Sequence, residues 1–210
     1  MVVTDDASAD GSWEEMLALA REDSHLRVQR LKRQSGQTSA LWAGMKTARG
    51  RIFITMDSDL QNDPAEIPRF LEALRSHDVV CGSRRESRAA GDSFLRRVSS
   101  VVANSVRNWL SSENISDAGC CYRAFRRECI EGLQLFKGMH RFLPTLFKMQ
   151  GYSVTEIAIG TRPRLHGVSK YGVLNRLFKS FRDLLAVRWM KSRWIRLEFD
   201  SAAPSSTDER

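Results

Sequence analysis

The chain has 210 residues, 42% hydrophobic and 28% charged, which suits one globular domain with a sizeable core and excludes a wholly disordered chain. Lysine and arginine outnumber aspartate and glutamate by 33 to 25, and the net charge of +8 favours a phosphate-bearing or anionic-surface partner. Cys81, Cys120, Cys121 and Cys129 form no CxxC pair, which argues against a zinc site or a disulfide framework and for a reducing, cytosolic setting. No uncharged apolar stretch approaches the roughly 18 residues that cross a bilayer, and MVVTDDASAD lacks the basic and apolar parts of a signal peptide.

In chain order, VVT (2–4) reads as the end of a strand, followed by the polar turn DDASADGS. A helix starts near Ser12, with Glu15 placed to complete a capping box. RVQRL (27–31) alternates as a short strand, and 37–49 reads as a helix closed by Gly50. RIFITM is the next strand. Asp63 caps the helix that follows, Pro64 sits in its first turn, and Ile67, Phe70, Leu71 and Leu74 recur at core-facing spacing. DVVCG is a further strand, 93–112 is helical, and 118–149 reads as a short strand followed by helical segments. YSVTEIAIG (152–160) alternates as a half-buried strand, TRPRLHGVSKYG is a loop, a helix spans about 172–190, and DSAAPSSTDER is a disordered tail. Strands alternating with helices imply an α/β domain with a mostly parallel sheet, whose ligands gather beyond the carboxyl ends of the strands.

Asp57 and Asp59 stand at such an end, two residues apart, so in extended backbone their carboxylates face the same way. They could share one divalent cation. Magnesium takes a few carboxylate oxygens and completes its shell with water and phosphate oxygens, which suits a metal-diphosphate. The alternative is that a strand-to-helix loop simply favours Asp, Ser and Asn for turns and caps. Asp5 and Asp6 end a strand expected beside the one ending at Asp57, where they could meet the base or ribose of a nucleotide. Basic residues gather in GSRRESR (Arg84, Arg85, Arg88), in Arg96 and Arg97, and in RPRLHGVSK (Arg162, Arg164, Lys170), where Gly167 and Ser169 give a loop able to fold over phosphates. Singly, Arg85, Arg88 and Arg97 suit a solvated face.

The series DDASADGS, GQTSALWAGMKTARG, MDSDLQNDPAEIP, VVCGSRRESR, ISDAGCCYRAFRR, GMHRFLPTLFKMQGY and RPRLHGVSKYG resembles, in this order, the family 2 glycosyltransferases. Within them it is similar to the dolichol-phosphate mannosyltransferase-like branch, which loads polyprenyl phosphates with sugars. The resemblance implies a GT-A fold and a nucleotide-sugar donor, and DSD looks like the DxD motif holding Mg2+ or Mn2+. It places Asp5, Asp6 and Ser58 by the nucleotide, Asp57 and Asp59 on the metal, and Gln61 near sugar and acceptor. Arg84 with Arg96 or Arg97 would meet the acceptor phosphate, while Arg162, Arg164, Ser169 and Lys170 would close over the phosphates. Asp117 and Arg123 match a further motif with no role attached, and Cys120 and Cys121 suit packing rather than redox chemistry.

A phosphate acceptor is already largely deprotonated at neutral pH, so the implied reaction is an inverting displacement that requires no strong general base. Expected boundaries are a GT-A catalytic domain over 1–170, a basic amphipathic segment over 171–199 and a disordered tail over 200–210. The family normally opens with a strand and helix ahead of Val2, and many relatives continue into transmembrane helices. The resemblance therefore implies an N-terminally truncated sheet with unpaired backbone groups, and a protein at the cytoplasmic face of the membrane, held peripherally or by a membrane-anchoring partner subunit.

Residues 161–196 hold ten Lys or Arg and a single acid, Asp183, interleaved with Leu177, Phe178, Phe181, Leu184, Leu185, Trp189 and Trp194. That pattern suits a helix in the headgroup region of an anionic membrane, and equally one docked on the domain by its apolar stripe. Rival functions are transfer to a glycan or protein hydroxyl, which would demand a catalytic base, and a non-catalytic remnant. Nucleic acid is not an expected partner, because the basic residues form two loops and no continuous stripe with stacking platforms.

Overall fold

The computed structural model describes residues 1–85, 115–117, 119–162 and 173–195, with the backbone alone for 173–180. The expected helix at 93–112, most of the basic loop and the tail lie outside the described residues, and with them Arg88, Arg96, Arg97, Arg164, Ser169 and Lys170.

Among the described residues, six strands and five α-helices follow one another as β1 (Val2–Asp5), α1 (Ser12–Glu22), β2 (Arg27–Arg30), α2 (Gln37–Thr47), β3 (Ile52–Thr55), α3 (Ile67–Ala73), β4 (Val79–Ser83), β5 (Arg123–Arg126), α4 (Leu143–Gln150), β6 (Val154–Ala158) and α5 (Val173–Ser192). Short 3-10 turns at Pro64–Glu66, Arg127–Ile130 and Met139–Arg141 join them. β1 and β2 form a parallel pair, and the other four strands make a sheet in the order β3-β5-β4-β6. β5 runs antiparallel to both β3 and β4, whereas β6 is parallel to β4. Three of these four strands thus point the same way, with β5 inserted against them.

Strand alternation sorts the core onto two faces of that sheet. Phe53, Val79, Cys81 and Phe125 pack with Leu143, Leu146 and Phe147 of α4, Met45 of α2, and Leu184 and Val187 of α5. The intervening Val80 and Ala124 pack with Phe70 and Leu74 at α3, Tyr122 and Ile159. All five residues of β4 are buried, as a central strand covered on both faces requires. Each fully buried large apolar side chain contributes about 1.5–3 kcal/mol relative to exposure.

Among the described residues β1 pairs with β2 alone and β3 with β5 alone, so each keeps one edge without a strand neighbour. The expectation that β1 lies beside β3 needs correcting, because no ladder joins them; α2 connects the two sheets instead. Its Thr47 hydroxyl donates to Gln29 of β2 (2.7 Å), the Gln29 amide donates to Thr4 of β1 (2.8 Å), and Met45 enters the core beside Phe53 of β3.

Two local expectations also give way. α1 follows Gly11, which has left-handed backbone (φ 86°), and no side chain caps it. Asp10 captures the amide and hydroxyl of Ser12 instead (3.2 and 2.6 Å), so the capping box with Glu15 does not form. At α3 Phe70 and Leu74 turn inward, four residues apart, while Leu71 is exposed. Asp63 does cap this region, accepting from the Ala65 amide at 3.1 Å ahead of Pro64.

Candidate active site

β3 delivers Asp57 to the rim of the four-stranded sheet, where the side chain is half-buried. Its Oδ1 accepts from Nε2 of Gln37, the first residue of α2, at 2.8 Å. The same amide donates to Sγ of Cys121 at 3.2 Å. Burial raises the Asp57 carboxyl above the ordinary carboxylate range, and the neighbouring charge of Asp59 raises it further. Hydrogen bonding from the Cys121 thiol and the positive charges of Arg84 and Arg123 act in the opposite direction.

Past Asp57 the chain turns sharply. Leu60 is a non-glycine residue with left-handed backbone (φ 60°) and an exposed side chain, a conformation that costs energy and persists only where its surroundings enforce it. The Gln61 amide donates to Oδ1 of Asp59 at 3.2 Å and so closes the turn. Ser58 is exposed beside them. The far side is tied to the segment after β6, where the Arg162 amide donates to the Gln61 carbonyl (3.0 Å) and the Arg162 guanidinium pairs with Asp63. Tyr122 donates its hydroxyl to the Asp63 carbonyl at 3.0 Å.

Behind Asp57 lie two buried arginines. Arg123, 1% exposed, donates to the His140 carbonyl at 2.7 Å, and His140 in turn meets the Thr38 hydroxyl at 2.7 Å. Arg84 is forked onto Asp117, Nε to Oδ2 at 2.8 Å and Nη2 to Oδ1 at 3.1 Å. Burial opposes the Arg84 charge, but the hydrogen bonds and charge of Asp117 outweigh it, so the guanidinium holds its proton more tightly than usual. Glu156 on β6 fixes that partner by accepting from the amides of Ser116 (2.8 Å) and Asp117 (3.3 Å).

Asp5 and Asp6 are engaged inward. Asp5, 4% exposed, accepts from the Ser8 amide and pairs with Arg30 at 3.0 Å. Asp6 accepts from the amides of Ser35 and Gly36 (2.7 and 2.8 Å). The turn entering α2 is therefore held by Asp6 on one side, while Gln37 reaches Asp57 on the other. The structure thus brings Asp57, Asp59, Gln61, Arg84 and Arg162 into one region with Asp6 at its flank, and Arg85 is exposed just beyond it. The sequence reading overlooked Gln37, Glu156, His140 and Thr38. Only Glu156 carried a signal, a lone acid within the half-buried strand YSVTEIAIG.

Among the described residues no three His, Cys, Asp or Glu side chains cluster to hold a metal. The two carboxylates nevertheless fit Mg2+ or Mn2+, which accept few protein oxygens and complete their shells with water and phosphate. The mutual repulsion felt by Asp57 is what a cation would relieve. Cys121 is pushed up to about 12 by burial and remains a neutral thiol, so it offers Asp57 a hydrogen bond and no competing charge.

Residues 1–133 match the family described as Glycosyl transferase family 2. The chain is 38% identical over 177 residues to an undecaprenyl-phosphate 4-deoxy-4-formamido-L-arabinose transferase of Aeromonas hydrophila, a match covering 83% of this chain and 53% of that protein. It is 36% identical over 192 residues to a dodecaprenyl-phosphate galacturonate synthase of Rhizobium johnstonii, covering 89% and 56%. It spans about half the length of the curated relatives it matches. Glucosyl-3-phosphoglycerate synthase from Mycobacterium tuberculosis, solved with Mn2+ and UDP-glucose, aligns with a TM-score of 0.64 at 20% identity, covering 89% of this chain and 67% of that one. The same enzyme solved with Mg2+ and UDP aligns with a TM-score of 0.65 at 19% identity, covering 93% and 69%. At such identities the likeness shows the fold, the GT-A α/β sandwich. With a family match over more than half its length and relatives above one-third identity across most of it, the chain belongs to glycosyl transferase family 2.

Proposed function

We propose that this chain is the catalytic domain of an inverting glycosyltransferase that moves a sugar from a nucleotide-sugar donor to a polyprenyl phosphate. The observation that carries this reading is the pair Asp57 and Asp59 at the end of β3, repelling one another in front of the buried Arg84 and Arg123. The names of the relatives point to polyprenyl-phosphate acceptors. The solved structures of like fold hold Mn2+ or Mg2+ with a uridine diphosphate donor or product. Asp57 and Asp59 would hold the cation here, and once bound it would offset charge on the departing diphosphate.

The chain's own residues supply the rest. Gln61 is positioned for the sugar and acceptor, and Ser58 and the turn shaped by Asp5 and Asp6 for the nucleotide. Arg162, and by family resemblance Arg164, Ser169 and Lys170, would contact the phosphates. Arg84, together with Arg96 or Arg97, offsets the acceptor's charge. An acceptor phosphate with its second pKa near 6 is nucleophilic at neutral pH, so the site positions and neutralises and needs no strong base.

The acceptor's lipid tail places the site at a membrane surface, and we assign the protein to the cytoplasmic face, peripherally held. A membrane-anchoring partner subunit would reinforce that attachment. No helix among the described residues is long and apolar enough to cross a membrane. α5 supports the peripheral reading. Leu184 and Val187 are buried in the core and Asp183 pairs with Arg141 at 3.1 Å, while Phe181, Leu185 and Trp189 project outward at four-residue spacing. The helix is thus docked through one stripe and carries a second beside the exposed Arg182 and Arg188. On this reading 1–170 is the catalytic domain and 171–199 the membrane-facing segment.

The test is incubation with polyprenyl phosphate and a panel of radiolabelled nucleotide sugars, with and without Mn2+. Radiolabelled lipid that forms only with the metal, and is lost in Asp59→Ala, supports the proposal. Label passing to a hydroxyl acceptor alone, no transfer by the folded protein, or full turnover under chelation would overturn it.

A further inference from the structure

The half-buried carboxylate of Asp57 feels the positive charges of Arg84 and Arg123, while a neutral group supplies its hydrogen bond. Its Oδ1 takes a hydrogen bond from the neutral amide of Gln37 (2.8 Å), and the same amide donates to Cys121 Sγ (3.2 Å), so that one amide spans both side chains. Each member is anchored separately. Thr55, two residues before Asp57, donates its hydroxyl to the Cys121 carbonyl at 2.7 Å, which fixes the thiol against the strand that carries the acid. Gln37 opens α2 directly after Gly36, whose amide is bound by Asp6 at 2.8 Å.

We infer that Gln37 and Cys121 form a neutral clamp that orients the Asp57 carboxylate toward a divalent cation, so that both are positioning residues for metal binding. The inference rests on the reading of Asp57 and Asp59 as a cation site. Neutrality is the central physical point. Lysine or arginine in either place would orient the carboxylate equally well, but would cancel the charge that attracts the metal and repel the ion directly. An amide and a thiol restrict the rotation of the carboxylate and leave its charge available. The arrangement explains why a cysteine occupies a buried position against the site although its neighbours there are charged.

The experiment titrates the full chain with Mn2+ alone, following free Mn2+ by electron paramagnetic resonance, with thermal melting recorded in parallel. Cys121→Ala and Gln37→Leu should each weaken Mn2+ binding about 10-fold. Cys121→Ser, which restores an O–H donor of similar size, should recover most of the affinity. Gln37 is exposed, so its replacement spares the core and keeps the test open even where Cys121→Ala folds poorly. Unchanged Mn2+ affinity in Gln37→Leu and Cys121→Ala, alongside loss in Asp57→Ala, overturns the clamp while leaving the cation site standing. Absence of Mn2+ binding by the unaltered chain, or equal binding by Asp59→Ala, overturns the cation site and the clamp with it.

Discussion

Asp117 grips Arg84 through three bonds at once, two to the guanidinium and one, at 3.2 Å, to the Arg84 backbone amide. Both side chains are about nine-tenths buried. Removing one partner therefore strands the other's charge in a poorly solvated place, a change that typically costs about 3–5 kcal/mol. Arg84→Ala and Asp117→Ala should each destabilise by roughly 3 kcal/mol in urea unfolding. The double variant should cost less than their sum, because no orphaned charge remains. Arg84→Lys keeps the charge but loses the fork. If Arg84 also offsets acceptor charge, this variant should raise the KM for polyprenyl phosphate while the protein stays folded at the assay temperature. Additive losses in the double variant would show that the pair is not energetically coupled.

The two stripes of α5 make separable predictions. Phe181→Ser, Leu185→Ser and Trp189→Ser combined alter only exposed positions, with Trp189 64% accessible, and should leave the melting temperature nearly unchanged. The same triple variant should abolish co-flotation with liposomes containing anionic lipid. Leu184→Ala empties a packed site and should cost about 2–3 kcal/mol of stability. Raising the salt should weaken liposome binding by the unaltered protein, since part of it is screened attraction to the headgroups. Failure of the unaltered chain to float at low salt would remove the membrane role from this helix.

The strand and helix order was largely legible because the apolar spacing is local. Val79, Val80 and Cys81 form a short uninterrupted run that suits a strand buried on both faces, and β4 is one. The paired acids at the end of β3 were equally visible. What the spacing could not convey was partnership across the chain. Arg84 and Asp117 are 33 residues apart and Gln37 and Asp57 are 20 apart, so no periodicity marks either pair. Chain order also does not reveal that β5 inserts between β3 and β4, or that β1 joins only β2 among the described residues, because strand pairing depends on long-range closure rather than local pattern. The capping box at Glu15 failed for a local reason, since Asp10, two residues before Ser12, takes the Ser12 amide instead.

Ser153 holds Asp78 by a hydroxyl at 2.7 Å and an amide at 2.9 Å, both on Oδ2, and these bonds keep the Asp78 carboxyl below its ordinary range. A carboxyl depressed in the folded state adds stability that is present above its unfolded value. That stability is lost as pH falls through the folded one. Ser153→Ala should therefore destabilise by about 1 kcal/mol at neutral pH, the modest figure appropriate to a partly exposed carboxylate. The difference between variant and parent should shrink as pH falls below the unfolded value of about 3.9 and on through the lower folded value. Thermal melts across that range check it. A deficit that stayed constant with pH would assign the effect of Ser153 to its bond with the Asp78 amide, at 2.9 Å, and not to the carboxylate.

Gly82 sits in β4 two residues before Arg84, and the space beside it is already taken. A methyl group there would stand 2.6 Å from Cδ1 of Ile159 and 3.2 Å from both Cζ of Phe70 and the carbonyl oxygen of Tyr122. The Ile159 methyl can swing aside, whereas Phe70 is fully buried and the carbonyl belongs to the chain that leads into β5. That carbonyl also accepts the Gly82 amide at 2.9 Å, so moving it strains the ladder that holds β4 against the site. Gly82→Ala should therefore cost about 1–3 kcal/mol, the usual range for overpacking a filled core. Adding Ile159→Val removes the nearest atom and should recover part of the loss, but not the share that comes from the carbonyl. Urea unfolding with an unchanged m-value would show that stability alone has moved. A fully restored double variant would mean that the Tyr122 carbonyl is not under pressure, and an undiminished single variant would mean that the strand shifts freely to accept the methyl.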